Sequence, residues 1–118
     1  MVYKGLLVAY QLRDFYLDLR DPAFETALAV FHQRYSTNTF PNWVLAQPFR
    51  FLAHNGEINT LQGNVNWVRA REPELRSSLW GDRVNKLRPI ITPGGSDSAM
   101  LDNALEAVVL SGKGLLHS

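Results

Sequence analysis

The sequence predicts an α+β layered fold, on three observations. Tyr3–Ala9, Ala27–Phe31 and Phe49–His54 are short apolar or aromatic runs of strand length. Residues 57–71 and 97–110 repeat apolar residues at three- and four-residue spacing, as amphipathic helices do. In chain order the elements read strand, helix, strand, strand, helix, helix, which groups like with like and so points to layers of both kinds.

Tyr3 to Ala9 is rich in apolar and aromatic residues and reads as the first strand. Gln11 to Leu19 places Leu12, Phe15, Tyr16 and Leu19 at helical spacing, which predicts a short helix, and Asp18 to Pro22 is a polar turn. Ala27–Phe31 is a buried strand running into the polar end His32-Gln33-Arg34-Tyr35. Ser36 to Pro48 is a loop with two prolines, and its Phe40, Trp43 and Leu45 predict that it packs down. Phe49 to His54 alternates as a strand, with Phe49, Phe51 and Ala53 on one face. After Asn55-Gly56, the residues Ile58, Leu61, Val65 and Val68 predict a helix over 57–71. Pro73 ends it or opens a second short helix through Leu79. Gly81 to Arg88 is polar and irregular. Ser96 or Asp97 caps a helix to about Leu110 that buries Leu101, Ala104, Leu105 and Val108, with Gly112 closing it.

Composition narrows the function. A chain of 118 residues is one small domain or part of a larger one. A hydrophobic fraction of 46% suits a globular chain, and a net charge of +1 gives no support for nucleic acid or an anionic membrane as partner. Trp67-Val68-Arg69-Ala70-Arg71 mixes aromatic and basic residues, yet Glu72 and Glu74 beside it make it a solvated helix face. No apolar run approaches the roughly 20 residues that cross a bilayer. The chain has no cysteine, hence no disulfide framework, zinc–thiolate site or redox motif. A cytoplasmic protein is the expectation. Apolar Leu6-Leu7-Val8-Ala9 near one end and Leu115-Leu116 at the other predict a partial domain cut at both ends.

Three segments carry polar chemistry: His32-Gln33-Arg34-Tyr35-Ser36-Thr37-Asn38-Thr39, His54-Asn55-Gly56-Glu57-Ile58-Asn59-Thr60 and Gly94-Gly95-Ser96-Asp97-Ser98. The Arg34 guanidinium at a strand end can grip a carboxylate through two parallel hydrogen bonds, or form a plain surface ion pair. Thr37 and Asn38 can add donors, or are ordinary turn residues. Asn55-Gly56 is a hairpin signal, but the helical spacing after it predicts a strand-to-helix turn instead. Such a turn can aim the Asn55 amide and the Gly56 N–H at one point, an oxyanion hole. Asp97 is a plain N-cap or a carboxylate placed for an ammonium group, with Gly94 and Gly95 allowing close approach. Arg34 and Asp97 together match the two ends of a zwitterionic amino acid. His54 reads as a packed histidine, because no strong nucleophile accompanies it. Gly94-Gly95-Ser96-Asp97 lacks the lysine and spacing of a phosphate loop.

In this order the three segments resemble the class II glutamine amidotransferase (Ntn-type glutaminase) family over essentially the whole chain. Arg34-Tyr35-Ser36-Thr37-Asn38-Thr39 is the version similar to the glutamate synthase group, where other members tend to read Arg-Trp-Ala-Thr-His-Gly. The resemblance implies part of a four-layer αββα sandwich. It implies Arg34 on the glutamine α-carboxylate with Thr37 and Asn38 beside it, Asp97 on the α-ammonium, and Asn55 and Gly56 as the catalytic oxyanion hole. It also implies an amino-terminal cysteine nucleophile that this chain does not contain, so the chain alone is expected to be inactive. Ammonia released from L-glutamine would pass to 2-oxoglutarate in another domain of the parent. FMN and an iron–sulfur cluster would belong to those other domains, with a small reductase subunit or ferredoxin as partner, in the cytoplasm or a plant plastid. Two alternatives stand beside this: a non-catalytic amino-acid-binding module, and part of another amidotransferase such as an asparagine synthetase type.

Overall fold

The structure, a computed structural model, describes residues 1–34 and 40–117. About 46% of these residues are helical and none lies in a strand. This corrects the α+β expectation and, with it, the αββα sandwich. A strand is completed by hydrogen bonds to a neighbouring strand, and no ladder forms among the described residues. The chain divides into two units, Met1–Asn55 and Gly56–Ser118.

In the first unit the expected strand Tyr3–Ala9 is non-helical chain that ends in a 3-10 turn, Ala9–Gln11, continuing into α1 (Leu12–Phe15). Tyr16 leaves the helix at φ −102°, ψ 96°, and a second 3-10 turn follows at Leu17–Arg20. The expected helix over 11–19 is therefore broken at Tyr16. Side chains hold this part together. The Tyr3 and Tyr16 rings meet edge to face at 4.8 Å, and Phe24 adds an edge contact to Tyr3 at 6.3 Å. The Tyr16 hydroxyl donates to the Lys4 carbonyl, and the Tyr3 hydroxyl donates to Asp18. Lys4 Nζ donates to the Val44 carbonyl at 3.0 Å and lies 4.9 Å from the Phe49 ring centre.

The expected strand Ala27–Phe31 is non-helical and exposed: Leu28 and Phe31 keep more than three quarters of their surface in water. Phe40 is 94% exposed and Trp43 is exposed, so the aromatic loop does not pack down where it is described. Trp43–Leu45 forms a 3-10 turn because the Asn42 side chain accepts from the Val44 N–H at 3.0 Å. The expected strand Phe49–His54 closes on itself as a tight turn, with the Phe49 N–H donating to the Leu52 carbonyl at 2.9 Å.

In the second unit α2 (Leu61–Arg71) buries Val65 and starts four residues later than its sequence pattern predicts. Pro73 sits in the first turn of a 3-10 segment, Glu72–Glu74, where its missing N–H costs nothing. Gly81–Leu87 is a further 3-10 segment. Arg88 ties this region together, donating to the carbonyls of Pro73 and Leu75 at 3.2 Å each and to Asn85 Oδ1 at 2.8 Å.

The helix α3 (Asp97–Leu110) matches its prediction in extent. Ser96 is its N-cap, accepting from the Ala99 N–H at 3.2 Å, and Gly112 follows its last turn at φ 98°. Its buried residues are Ser98 and Asp102, whereas Leu101 and Val108 of the expected apolar face are exposed. Thr92 is fixed to this helix by its N–H, which donates to Asn103 Oδ1 at 3.0 Å.

Candidate functional site

In the first unit Arg34 is exposed on non-helical chain, not at a strand end. Thr37 and Asn38 lie outside the described residues. Asn55 is exposed at the end of the loop that the Phe49–Leu52 turn begins. Gln47 steadies this loop: its Oε1 accepts from the His54 N–H at 2.7 Å. Across 23 residues of sequence, His32 Nε2 lies 2.8 Å from Asn55 Oδ1. His32 is half-buried, so this contact joins the first and second polar segments. Sequence reasoning placed His32 inside a motif but gave it no role. Its place two residues before Arg34 is the signal that marked it.

In the second unit Asp97 is half-buried in the first turn of α3, where the helix dipole favours a negative charge. Its Oδ1 accepts from the Ser98 N–H at 2.6 Å and the Ser98 hydroxyl at 3.1 Å. Its Oδ2 accepts from the Ile58 N–H at 3.3 Å. The N-cap role considered for Asp97 falls to Ser96, which leaves the aspartate as an oriented carboxylate that also ties the second polar segment to the third. Gly94 turns the chain ahead of it at φ 75°. Gly95 closes the turn with its N–H on the Thr92 carbonyl at 3.3 Å, and a Cβ there would sit 3.3 Å from that oxygen.

The oxyanion-hole reading of Asn55 and Gly56 is corrected by this geometry, and with it the reading of the chain as a working part of a glutaminase site. That reading needs a strand delivering Asn55–Gly56 directly into a helix. No strand precedes Asn55, and four further non-helical residues separate Gly56 from α2 at Leu61. Asn55 and Gly56 are both exposed, so water competes for the donors that would have to hold a developing charge. The chain also has no cysteine to attack a carboxamide.

The cofactors implied for a longer parent do not fit the residues present. An iron–sulfur cluster takes cysteine thiolates, of which the chain has none. Among the described residues no three His, Cys, Asp or Glu side chains gather as a metal site. A cleft of about 190 Å³ in the first unit, lined by Val2, Tyr3, Leu28, Val30, Phe49 and Phe51 among others, is smaller than the roughly 300 Å³ at which small-molecule sites begin. It does not accommodate FMN. No helix among the described residues is long and apolar enough to cross a membrane.

Residues 1–118 match the family of class-II glutamine amidotransferases, and the chain belongs to it. Within that family it is similar to glutamate synthases. It is 54% identical over 113 residues to ferredoxin-dependent glutamate synthase 1, chloroplastic/mitochondrial, of Arabidopsis thaliana, which covers 96% of this chain and 7% of that protein. It is 53% identical over 118 residues to the NADPH glutamate synthase large chain of Bacillus subtilis (strain 168), covering 100% of this chain and 8% of that protein. Identity to the NADH glutamate synthase of Saccharomyces cerevisiae is 54% over 112 residues, 95% of this chain and 5% of that protein. The chain thus spans less than a tenth of the length of these curated relatives.

Proposed function

We propose that this chain is a glutamine-recognition segment of a glutamate-synthase-type amidotransferase, acting within a longer protein and without turnover of its own. The 53% identity to a glutamate synthase large chain over all 118 residues carries this reading, and the anchored carboxylate of Asp97 supports it. Arg34 is the partner of the α-carboxylate, since a guanidinium matches a carboxylate in two-point geometry. Thr37 and Asn38 add donors beside it. Asp97 takes the α-ammonium: an ionised carboxylate oxygen accepts more than the single Ile58 bond made by Oδ2.

FMN and an iron–sulfur cluster belong, on this reading, to other domains of the longer protein. The electron donor is ferredoxin or a small reductase subunit; relatives named as ferredoxin-, NADPH- and NADH-dependent occur at similar identity. The compartment is the cytoplasm, or the plastid for a plant parent.

The test uses the longer protein. Arg34→Ala and Asp97→Ala remove charge-assisted hydrogen bonds to groups whose charge the reaction leaves unchanged. They should raise KM for glutamine by roughly 10- to 100-fold, with a smaller change in kcat. Synthesis from added ammonia should continue. Equal loss of glutamine-dependent and ammonia-dependent synthesis would mean that these side chains hold the fold, and the assignment fails.

A further inference from the structure

We propose that Asn55-Gly56 is a self-modification site, where Asn55 is converted to aspartate and isoaspartate through a succinimide with His32 assisting. The inference is independent of the glutamine-recognition reading. Of the asparagines in the chain, Asn55 is the one followed by glycine. Ring closure needs the backbone nitrogen of the next residue to reach the side-chain Cγ, and a residue without a Cβ leaves that approach open. Asn55 and Gly56 are both exposed and non-helical, so no helix hydrogen bond fixes the torsions that bring the two atoms together. Asn59 supplies the contrast in the same non-helical stretch. It is exposed too, but Thr60 follows it, and a branched side chain crowds the attacking nitrogen. Asn64 and Asn66 are held in α2, and Asn103 sits in α3 with its Oδ1 accepting from the Thr92 N–H.

The Gly56 nitrogen attacks Cγ of Asn55 and gives up its proton to water. The new N–Cγ bond closes the ring, the Cγ–Nδ2 bond breaks, and Nδ2 takes up a proton and leaves as ammonia. Water then opens the succinimide. Cleavage at Cγ gives aspartate, and cleavage at the backbone carbonyl gives isoaspartate. During the attack negative charge develops on Oδ1. His32 Nε2 lies 2.8 Å from that atom. A carbonyl oxygen only accepts, so the ring nitrogen donates and favours the addition. Asn55 is exposed, so water can replace the ring, and the gain is that of one ordinary hydrogen bond rather than of a donor in a dry site. The ammonia released is at most one per chain and needs no glutamine, which sets it apart from turnover. The product carries an added negative charge, which takes the formal net charge of the chain from +1 to zero.

Timed incubation of the purified chain at mildly alkaline pH tests this, with peptide mapping by mass spectrometry to read aspartate and isoaspartate at positions 55 and 59. Conversion should run at Asn55 and lag at Asn59. Equal conversion at the two, or none at Asn55, overturns the site. His32→Ala should slow conversion at Asn55 by roughly 2- to 10-fold, the worth of one neutral hydrogen bond. His32→Gln, which keeps a donor, should recover part of that rate. In urea the fold no longer brings His32 to Asn55, so wild type and His32→Ala should convert at the same rate. An unchanged rate in folded His32→Ala, or the same difference persisting in urea, overturns the assistance by His32. A faster rate in His32→Ala overturns it as well, because the contact would then hold Cγ away from the nitrogen. If His32→Ala loses its helical circular dichroism, the comparison of wild type with His32→Gln decides, and an unchanged or faster rate there counts against the proposal.

Discussion

The phenol of Tyr3 donates to the Asp18 carboxylate, and its pKa is pushed up from 10.0 to about 12. The hydrogen bond is the largest cause, followed by loss of hydration and by the negative charges of Asp18 and of an ionised Tyr16. A folded-state pKa above the unfolded one means that the protonated phenol favours the folded unit. That contribution is complete below pH 10 and fades as the pH rises through about 12. Melting temperature followed from pH 8 to pH 12 should therefore decline over the upper part of the range, and Tyr3→Phe should remove part of that decline. An identical decline in wild type and Tyr3→Phe would show that Asp18 does not hold the phenol in solution. The place of Asp97 in the first turn of α3 was legible at this scale too, because a carboxylate opening a helix after two glycines is a local pattern. The contact of His32 with Asn55 was not legible. It joins residues 23 apart, and no periodicity in the sequence links them.

Helices α2 and α3 offer a contrast between two glycines. Gly63 lies inside α2, and a Cβ built there meets nothing within 4 Å. Gly63→Ala should gain roughly 0.5–1 kcal/mol, through helix propensity and a less flexible unfolded chain. Gly112 follows α3 at φ 98°, where an L side chain is strained. Gly112→Ala should lose on the order of 1 kcal/mol despite equally open space. Ser96→Ala removes the hydroxyl that accepts from the Ala99 N–H and should cost about 1 kcal/mol. Urea titration followed by helical circular dichroism would show all three shifts. A Gly112→Ala variant as stable as Gly63→Ala would contradict the backbone assignment. The extent of α3 could be read from the sequence because its cap, its repeat and its closing glycine are all local. The lack of strands over 3–9, 27–31 and 49–54 could not be read, since a strand depends on a partner that its own residues do not specify. At Phe49–Leu52 a turn hydrogen bond took the place of a ladder. The face that α3 buries was misread for a related reason: hydrophobic spacing marks the side able to be covered, whereas Ser98 and Asp102 are the residues that are covered.

At the scale of the whole chain, apolar cover is scarce in both units. Among the described residues Phe49 is buried in the first unit and Val65 and Ile91 in the second, while Phe31, Trp67, Leu79 and Leu110 each keep more than 70% of their surface in water. Exposed apolar surface of this kind drives association. The apparent mass of the isolated chain in light scattering should rise with concentration, and a monodisperse monomer with one sharp melt would refute this. Catalysis is decided separately, by the atoms that could attack a carboxamide. The chain has no cysteine, and a thioether such as that of Met1 cannot become a thiolate. A serine serves only with a base to take its proton; Ser98 spends its hydroxyl on Asp97, and Ser96 caps α3. Pure chain incubated with L-glutamine should thus release no ammonia above the buffer rate, over any range of pH in which it stays folded. The measurement has a built-in control, since contaminating glutaminase would be indifferent to changes in this chain. Ammonia release that disappears with Arg34→Ala would belong to the chain itself, and it would mean that a nucleophile other than a thiol operates here.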